Sequence, residues 1–324
     1  MNNFYTMDKV FEGKTTFSSY KIVVDVCLKV VSIFFKRLKE SKKTYLENVL
    51  INPKTSEVKV VEVDKINFYK NNVYVSPLMI MGKEDKKQEE FILFEYVFSL
   101  LVNNHPFEGH KYYDSPVLHL EKLKELYGES ATFIFDPKDE SNYISSYFPK
   151  TKLVLDRWAK LPIYVKDFFR EAFSKDAIFN VEKRVDVSSL VNMLFRFRND
   201  IITCFCGNEI IVNNYNEVIC DKCNKSSIIN RFIKFNNYKS PLIKGTRIYK
   251  GQLVEFNEED FMSPVGLVVT KPNNPNVFGL KNVSGDNFVI SKENEDKKEI
   301  MPQSVILVNE NMLVEVYNKT FKII

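Results

Sequence analysis

Residues 91–101 read Phe91-Ile92-Leu93-Phe94-Glu95-Tyr96-Val97-Phe98-Ser99-Leu100-Leu101, apolar nearly all the way round a helical wheel. A helix without a polar face has nowhere to lie but inside, so this stretch predicts a central helix wrapped by other elements. Upstream, Ile22, Val23, Val26, Val30, Ile33, Phe34 and Leu38 recur at three- and four-residue steps, which puts them on one face of a helix over 20–40. Between the two, Val49-Leu50-Ile51, the turn residues Asn52-Pro53-Lys54-Thr55-Ser56 and the β-branched Val58-Lys59-Val60-Val61-Glu62-Val63 read as a hairpin. Downstream, further helices are expected at 116–127, 162–175 and 187–198. Trp158, Phe168, Phe169 and Phe173 fall at helical spacing and read as core, not as a binding platform.

Beyond Cys223 the pattern changes to short β-rich runs separated by Asn, Gly and Pro: Arg247–Tyr249, Leu253–Phe256, Gly266–Val269, Asn287–Ile290, Val305–Val308 and Met312–Val316. Such spacing predicts a sandwich or barrel, with Lys292–Glu299 a solvated loop. The fold class is therefore α+β and multidomain: a mostly α-helical domain over 1–199, a small Cys-rich ribbon over 200–235 and an all-β domain over 236–324.

Composition sets the outer limits. A chain of 324 residues that is 44% hydrophobic, with 10 Gly and 12 Pro, is neither disordered nor collagenous. Lys and Arg total 46 against 42 Asp and Glu, a formal +4 with the signs interspersed, so nucleic acid is not implied as a partner. The first 21 residues, MNNFYTMDKVFEGKTTFSSYK, have no apolar signal-peptide core, and no apolar run is long enough to span a bilayer. The expectation is a cytoplasmic protein with no membrane partner.

Five cysteines are too few for a disulfide scaffold in a chain this large. Cys27, alone in an apolar helical run, reads as a buried and inert thiol. The other four form two short knuckles, Cys204-Phe205-Cys206-Gly207 and Cys220-Asp221-Lys222-Cys223-Asn224, joined by a segment containing Ile210-Ile211-Val212 and Val218-Ile219. Two thiolate-bearing turns flanking a hairpin can gather four sulfurs around Zn²⁺, with Gly207 and Asn224 where knuckle backbones need a positive φ. Four cysteines would leave no open coordination position, so the expected Zn²⁺ is structural. Arg231, Lys234 and Phe235 provide only a slight basic and aromatic surface beside it.

The helix–hairpin–helix order, met with specific residues, resembles the C-terminal lobe of a protein kinase. The resemblance is to a bacterial kinase-like group in which a Cys-rich segment follows the kinase, in stress or tellurite-resistance clusters beside von Willebrand A-type and phosphatase proteins. It rests on Glu47–Val58 for the catalytic-loop stretch, Val75-Ser76-Pro77-Leu78 for the segment ending in APE, and Phe91–Leu101 followed by Asn104-His105-Pro106-Phe107-Glu108-Gly109. Phe133–Asn142, Trp158–Phe173 and Arg184–Arg198 extend it, so that it spans about residues 20–200.

Kinase chemistry needs an N-lobe lysine, a catalytic-loop Asp as base and a DFG Asp with an Asn for metal. The resemblance implies that these are missing here. The nineteen residues before Tyr20 are too few for an N-lobe. The H-R-D triplet becomes Ser41-Lys42-Lys43, placing an ammonium at Lys43 where the base would be. The metal-binding Asp falls on Glu62, the APE glutamate on Leu78, leaving Arg184 to find another acceptor, and the next helix's aspartate on Glu89. Asn48 and Glu62, with Asp64 nearby, would hold Mg²⁺ poorly without phosphate oxygens and read as residual polar residues. His105, His110 and His119 read as turn and surface residues.

The implied function is a catalytically inactive scaffold for other proteins, with von Willebrand A-type or phosphatase proteins as partners, or a second copy of the chain. Without an N-lobe the face around Leu46, Val49, Val61 and Val63 would be uncovered, which makes it the expected contact surface. The alternative is a kinase half, or an ATP-dependent transferase, completed by another chain. Residues 240–324 further resemble a forkhead-associated (FHA) β-sandwich, on Gly279–Ser284, Pro302-Gln303 and Phe321–Ile324. That resemblance implies a second alternative, a phosphopeptide-binding adaptor. The Gly-Arg and Ser-x-x-His loops that would grip the phosphate are absent, and Arg247 and Ser284, the only substitutes, read as structural or surface residues.

Overall fold

The computed structural model describes residues 4–64, 73–147, 149–254, 260–291 and 297–324. Two compact units make up the α+β chain, Met1–Met193 and Leu194–Ile324. Among the described residues, no helix is long and apolar enough to cross a membrane.

In the first unit the all-round apolar stretch is the helix Gln88–Val102, buried at every position from Phe91 to Val102. It stops at Asn103, which takes a left-handed conformation (φ 66°) that asparagine tolerates and most side chains resist. The helix Tyr20–Lys39, capped by the Ser19 hydroxyl accepting the Ile22 N–H at 3.2 Å, packs along it, as does the helix Pro149–Lys160. Cys27 is buried on the first of these, and burial pushes its thiol pKa up.

Phe98 sits among Phe133, Phe135, Trp158, Phe169 and Phe173, with ring centroids 5.2 to 6.5 Å apart and mostly edge-to-face. The helix Ile163–Ala172 supplies Phe168 and Phe169. Helix Pro149–Lys160, which the sequence reading did not separate, turns Val154 and Trp158 inward one turn apart. The helix expected over 116–127 begins only at Leu120, capped by the His119 ring accepting the Lys122 N–H, and passes into a π turn over Glu125–Glu129.

The turn after the central helix is fixed by buried amides. Asn104 Nδ2 donates to the carbonyls of His105 and Glu108, and Asn142 Nδ2 donates to those of Phe107 and Thr132, all at 2.8–2.9 Å. Gly109 is required here, since a Cβ would lie 1.9 Å from the Asn142 carbonyl oxygen. Arg184 finds its acceptor in Asp85 at 2.7 Å, both side chains buried, with the guanidinium also over the Phe91 ring.

His105 is not a surface residue. It is buried edge-on to Tyr74, Phe107 and Tyr127, with Nε2 3.8 Å from Glu95 Oε1. Desolvation pushes its pKa down from 6.5 to about 3, against the opposing Val73 carbonyl, and desolvation also pushes Glu95 well up.

The face expected to lie uncovered is covered by the chain's own start. Strand β1 (Tyr5–Thr6) pairs antiparallel with β2 (Val49–Ile51), which pairs with β3 (Val58–Val60). The following helix Met7–Phe11 packs on the turn Leu46–Asn48, on β2 and on the central helix, burying Met7 and Val10. The reading of Leu46 and Val49 as contact-surface residues is thereby corrected: they are 2% and 0% exposed, because the N-terminal strand and helix close over them. Val61 and Val63 are half-buried.

The second unit is a sandwich sewn from two antiparallel sheets. Strands β10 (Arg247–Tyr249), β11 (Pro264–Lys271), β12 (Asn274–Asn282) and β15 (Val305–Leu307) form one, in that order. The other runs β14 (Lys298–Ile300), β13 (Phe288–Ser291), β16 (Leu313–Val316), β17 (Lys319–Ile323), β8 (Phe232–Lys234) and β9 (Lys239–Pro241). Their inner faces share one core, with Ile248, Val268 and Leu280 from the first and Ile233, Phe288, Val314 and Phe321 from the second.

Strand β8 falls within 200–235 yet belongs to the sandwich sheet, since its edges are satisfied by β17 and β9. Leu253 follows a 3₁₀ turn rather than opening a strand, and Glu255 and Phe256 lie outside the described residues. Of the expected loop at 292–299, residues 292–296 lie outside the described residues and Lys298 and Glu299 stand in β14.

Removing one side of a buried ion pair strands the other charge. Arg184→Ala is expected to destabilise the first unit by about 3–5 kcal/mol, read by urea unfolding; a loss within ~0.5 kcal/mol would refute a structural role for the pair. His105 stays neutral when folded but takes a proton below about 6.5 when unfolded, so its contribution is intact above that pH and is lost as pH falls toward 3. Between pH 6.5 and 4 the parent should lose about 1.4 kcal/mol per pH unit relative to His105→Asn. A pH-independent difference between the two would show that the ring is not held neutral.

Candidate functional site

Two small hairpins build the cysteine site. Strand β4 (Ile201–Thr203) pairs with β5 (Glu209–Ile211), and β6 (Val218–Ile219) with β7 (Ser226–Ser227). Each connecting turn is a knuckle. In the first, the Cys204 N–H donates to the Asn208 carbonyl at 2.8 Å and the Gly207 N–H to the Cys204 carbonyl at 2.9 Å. In the second, the Cys220 N–H donates to the Lys225 carbonyl at 3.0 Å and the Asn224 N–H to the Cys220 carbonyl at 2.8 Å. Gly207 and Asn224 have φ of 85° and 54°, as expected.

The four sulfurs of Cys204, Cys206, Cys220 and Cys223 lie within 4.8 Å of one another. Cys204 and Cys223 are 3.6 Å apart, as are Cys206 and Cys220. Disulfide sulfurs would be at ~2.05 Å, whereas sulfurs at ~2.3 Å from a tetrahedral Zn²⁺ stand roughly 3.8 Å from each other. The donor set and its spacing therefore fit a tetrahedral thiolate-bound ion, and the four cysteines are free. The Cys220 thiol is pushed down to about 6, chiefly by the backbone N–H of Cys223 and, in addition, by that of Lys222 and the neighbouring thiols, with desolvation opposing.

Sequence reasoning missed Asn208. Its Nδ2 lies 3.7 Å from the Cys220 sulfur and also donates to the Glu209 carbonyl, tying the first knuckle to a ligand of the second. An amide directly after the knuckle glycine was the available signal. Behind the knuckles stands a separate small core of Ile202, Val212, Val218, Ile229 and Phe232. Phe205, between the paired cysteines, is fully exposed.

The kinase-like positions are occupied by structural bonds. Asn48 is buried, its Oδ1 accepting the Tyr45 N–H at 3.1 Å and its Nδ2 donating to the Val61 carbonyl at 2.9 Å. Arg37 donates to the Lys43 carbonyl from Nε and Nη2 and to Glu62 Oε1 from Nη1, at 2.8 to 3.2 Å. Glu62 and Asp64 are exposed, Lys43 is exposed, and Glu89, half-buried, feels the Lys43 charge against a larger desolvation that raises its pKa. Leu78 is buried on the short helix Pro77–Ile80.

The histidines do not cluster: His110 pairs with Asp114 at 2.7 Å on the surface, and His119 caps a helix. In the sandwich, Arg247 is exposed, while the buried Ser284 hydroxyl donates to Asn282 Oδ1 or the Asp286 carbonyl.

No family model and no curated protein matches the chain. Among solved structures, the twitchin kinase region from C. elegans is similar at 11% identity and a TM-score of 0.38, over 98% of this chain and 58% of that one. The chain thus spans less than two thirds of the length of that structure.

Elemental analysis should find one zinc per chain, and Cys220→Ser should lose it. Asn208→Ala, which leaves the four thiols in place, is expected to weaken metal affinity by about 10- to 100-fold in a chelator competition. Unchanged affinity would remove Asn208 from the metal's support.

Proposed function

We propose that this chain is a non-catalytic, kinase-related scaffold, in which a structural Zn²⁺ ribbon and a β-sandwich follow a helical unit that serves protein partners. The reading is carried by Asn48, whose carboxamide would have to face a metal ion in a phosphotransferase. Here each of its ends is bonded to nearby backbone, at Tyr45 and Val61, in a buried position.

Lys43 supports the same conclusion, since an ammonium has no lone pair with which to take a hydroxyl proton. Glu62, the remaining candidate for metal, is engaged by Arg37. Four thiolate ligands fill a tetrahedral ion's coordination, so the ribbon's metal would hold structure rather than polarise a substrate.

The face for partners is smaller than the sequence implied. Val61 and Val63, beside the 37%-exposed Val60, are what remains accessible once Leu46 and Val49 are covered. These residues, not the whole hairpin floor, form the proposed contact edge.

The protein should show neither a thermal shift with ATP·Mg²⁺ nor phosphate transfer to itself or to a generic substrate. A shift of several degrees, or measurable transfer, would return the chain to the enzymes. Val61→Lys and Val63→Glu should abolish self-association or partner capture with zinc content unchanged; folded variants that associate like the parent would move the contact surface elsewhere.

A further inference from the structure

The outer face of the six-stranded sheet carries a feature that the scaffold role does not use. Across β17, β8 and β9 the register sets Lys322 opposite Lys234, and Lys234 opposite Lys239. Their sequence neighbours Phe321, Ile323, Ile233 and Ser240 are buried, the first three in the sandwich core, so alternation along the strands turns the three lysines outward together. Lys234 and Lys239 are exposed and Lys322 is half-buried.

Like charges set directly opposite one another in a sheet cost stability, and here two such pairs share one residue. The row contains no carboxylate: beyond Lys322 it continues on β16 with Leu313. The next outward position of β16, Glu315, stands opposite Thr320 and is met by Lys297 at 3.8 Å. Lys239 has aromatic company, its Nζ 3.8 Å from the centre of the Phe232 ring and 5.4 Å from that of Tyr215. Among the described residues, neither Lys234 nor Lys322 forms an ion pair.

The surrounding sequence shows the same excess. Between Asp221 and Glu255 lie eight Lys and Arg and no Asp or Glu, in a chain that sets 42 acidic residues against 46 basic ones. Of the eight, Lys250 alone is in an ion pair among the described residues, with Asp260. Positive charge gathered this way, with its counter-charges missing from the fold, is matched by an anion from outside.

The row also limits the kind of anion. Strands β17 and β8 are interior to the sheet and paired on both sides, so an acidic peptide cannot add to them as a further strand. Lysine offers a point charge without the planar fork that arginine presents to a carboxylate. Single strands of nucleic acid bind by stacking as well as by charge, and the two rings beside this row already lie under Lys239. RNA is recognised largely through its 2′-hydroxyls and splayed bases, to which three ammonium groups present neither an acceptor nor a ring. What an aligned set of ammonium groups matches is a fixed and dense line of charge, and duplex DNA carries one negative charge per about 1.7 Å of its axis.

We propose that the row of Lys322, Lys234 and Lys239 binds the phosphate backbone of duplex DNA without reading its sequence. The mutual repulsion of the three lysines is relieved when phosphates lie between them.

The test is fluorescence anisotropy of two labelled DNA duplexes of unrelated sequence, titrated with the full chain at several salt concentrations. Both should bind with equal affinity, and the logarithm of affinity should fall against that of salt with a slope of about −2.7, three phosphates at ~0.9 each. Lys234→Gln removes the middle charge and should weaken both duplexes alike, reducing the slope by about 1. Without DNA the same variant should unfold at a higher temperature than the parent, since two like-charge pairs are relieved. Lys271→Gln, which removes an exposed lysine at the far end of the β11–β12 hairpin, should leave binding and slope unchanged. Failure of both duplexes to bind at low salt, or equal weakening by Lys271→Gln, would overturn the surface. Tighter binding of polyglutamate or of a single strand would overturn duplex DNA as its partner, and a lower unfolding temperature for Lys234→Gln would overturn the repulsion within the row.

Discussion

A helix buried on every side imposes a demand that one partner cannot meet. Twelve consecutive residues, Phe91 to Val102, are removed from water, so apolar surface has to arrive from all directions. Among the described residues, helices Tyr20–Lys39, Pro149–Lys160 and Met7–Phe11 all pack against it, and the rings around Phe98 add further apolar surface. None of these is long enough to enclose the helix alone. The N-terminal strand is only two residues long and its helix five, yet Met7 and Val10 are as buried as the core they close.

The same burial decides the state of every polar group placed inside. Burial pushes the pKa of Glu95 on the central helix up and that of His105 just beyond it down, each toward the neutral form, because water is not there to solvate their charges. Arg184 is accommodated differently, by the buried side chain of Asp85 and the face of Phe91. The amides of Asn104 and Asn142 need neither device, since each has two carbonyls within reach. Polar residues of this interior are therefore of three kinds, and ionisability separates them.

Much of this was legible in the sequence where the pattern is long and local. The helix expected over 20–40 from spacing and the one expected over 91–101 from all-round apolarity stand at Tyr20–Lys39 and Gln88–Val102, and both knuckles follow from Cys, Gly and Asn at short range, since the residues that make each turn are the residues that occupy it. What was not legible depends on distant partners. Helix Met7–Phe11 is five residues with no cap that a reader would notice, and it exists because the floor of the hairpin must be covered. Strand β12 begins Asn274-Pro275-Asn276, which reads as a loop, and is recruited by pairing with β11 along Gly266 to Lys271. Asp85 as the acceptor for Arg184 lies 99 residues away in sequence, beyond any local pattern.

The cysteine ribbon answers the burial problem in the opposite way. The small core beneath it has five buried residues, Ile202, Val212, Val218 and Ile229 with Phe232 from the sandwich strand β8, too few to offset the ordering of some thirty residues at roughly 1–2 kcal/mol each for the backbone. Its strands are two or three residues long and pair only in twos. A thiolate-bound ion would supply on the order of 10–16 kcal/mol, and it would do so at the tips, where the two knuckles bring their sulfurs within 4.8 Å of one another. The placement of all four sulfurs at the turns follows from this. Cross-linking the tips would leave the strands free to lay Ile202 and Val218 on the small core, so an ion held by the four sulfurs would substitute for the layers of side chains that the central helix of the other unit collects from its neighbours.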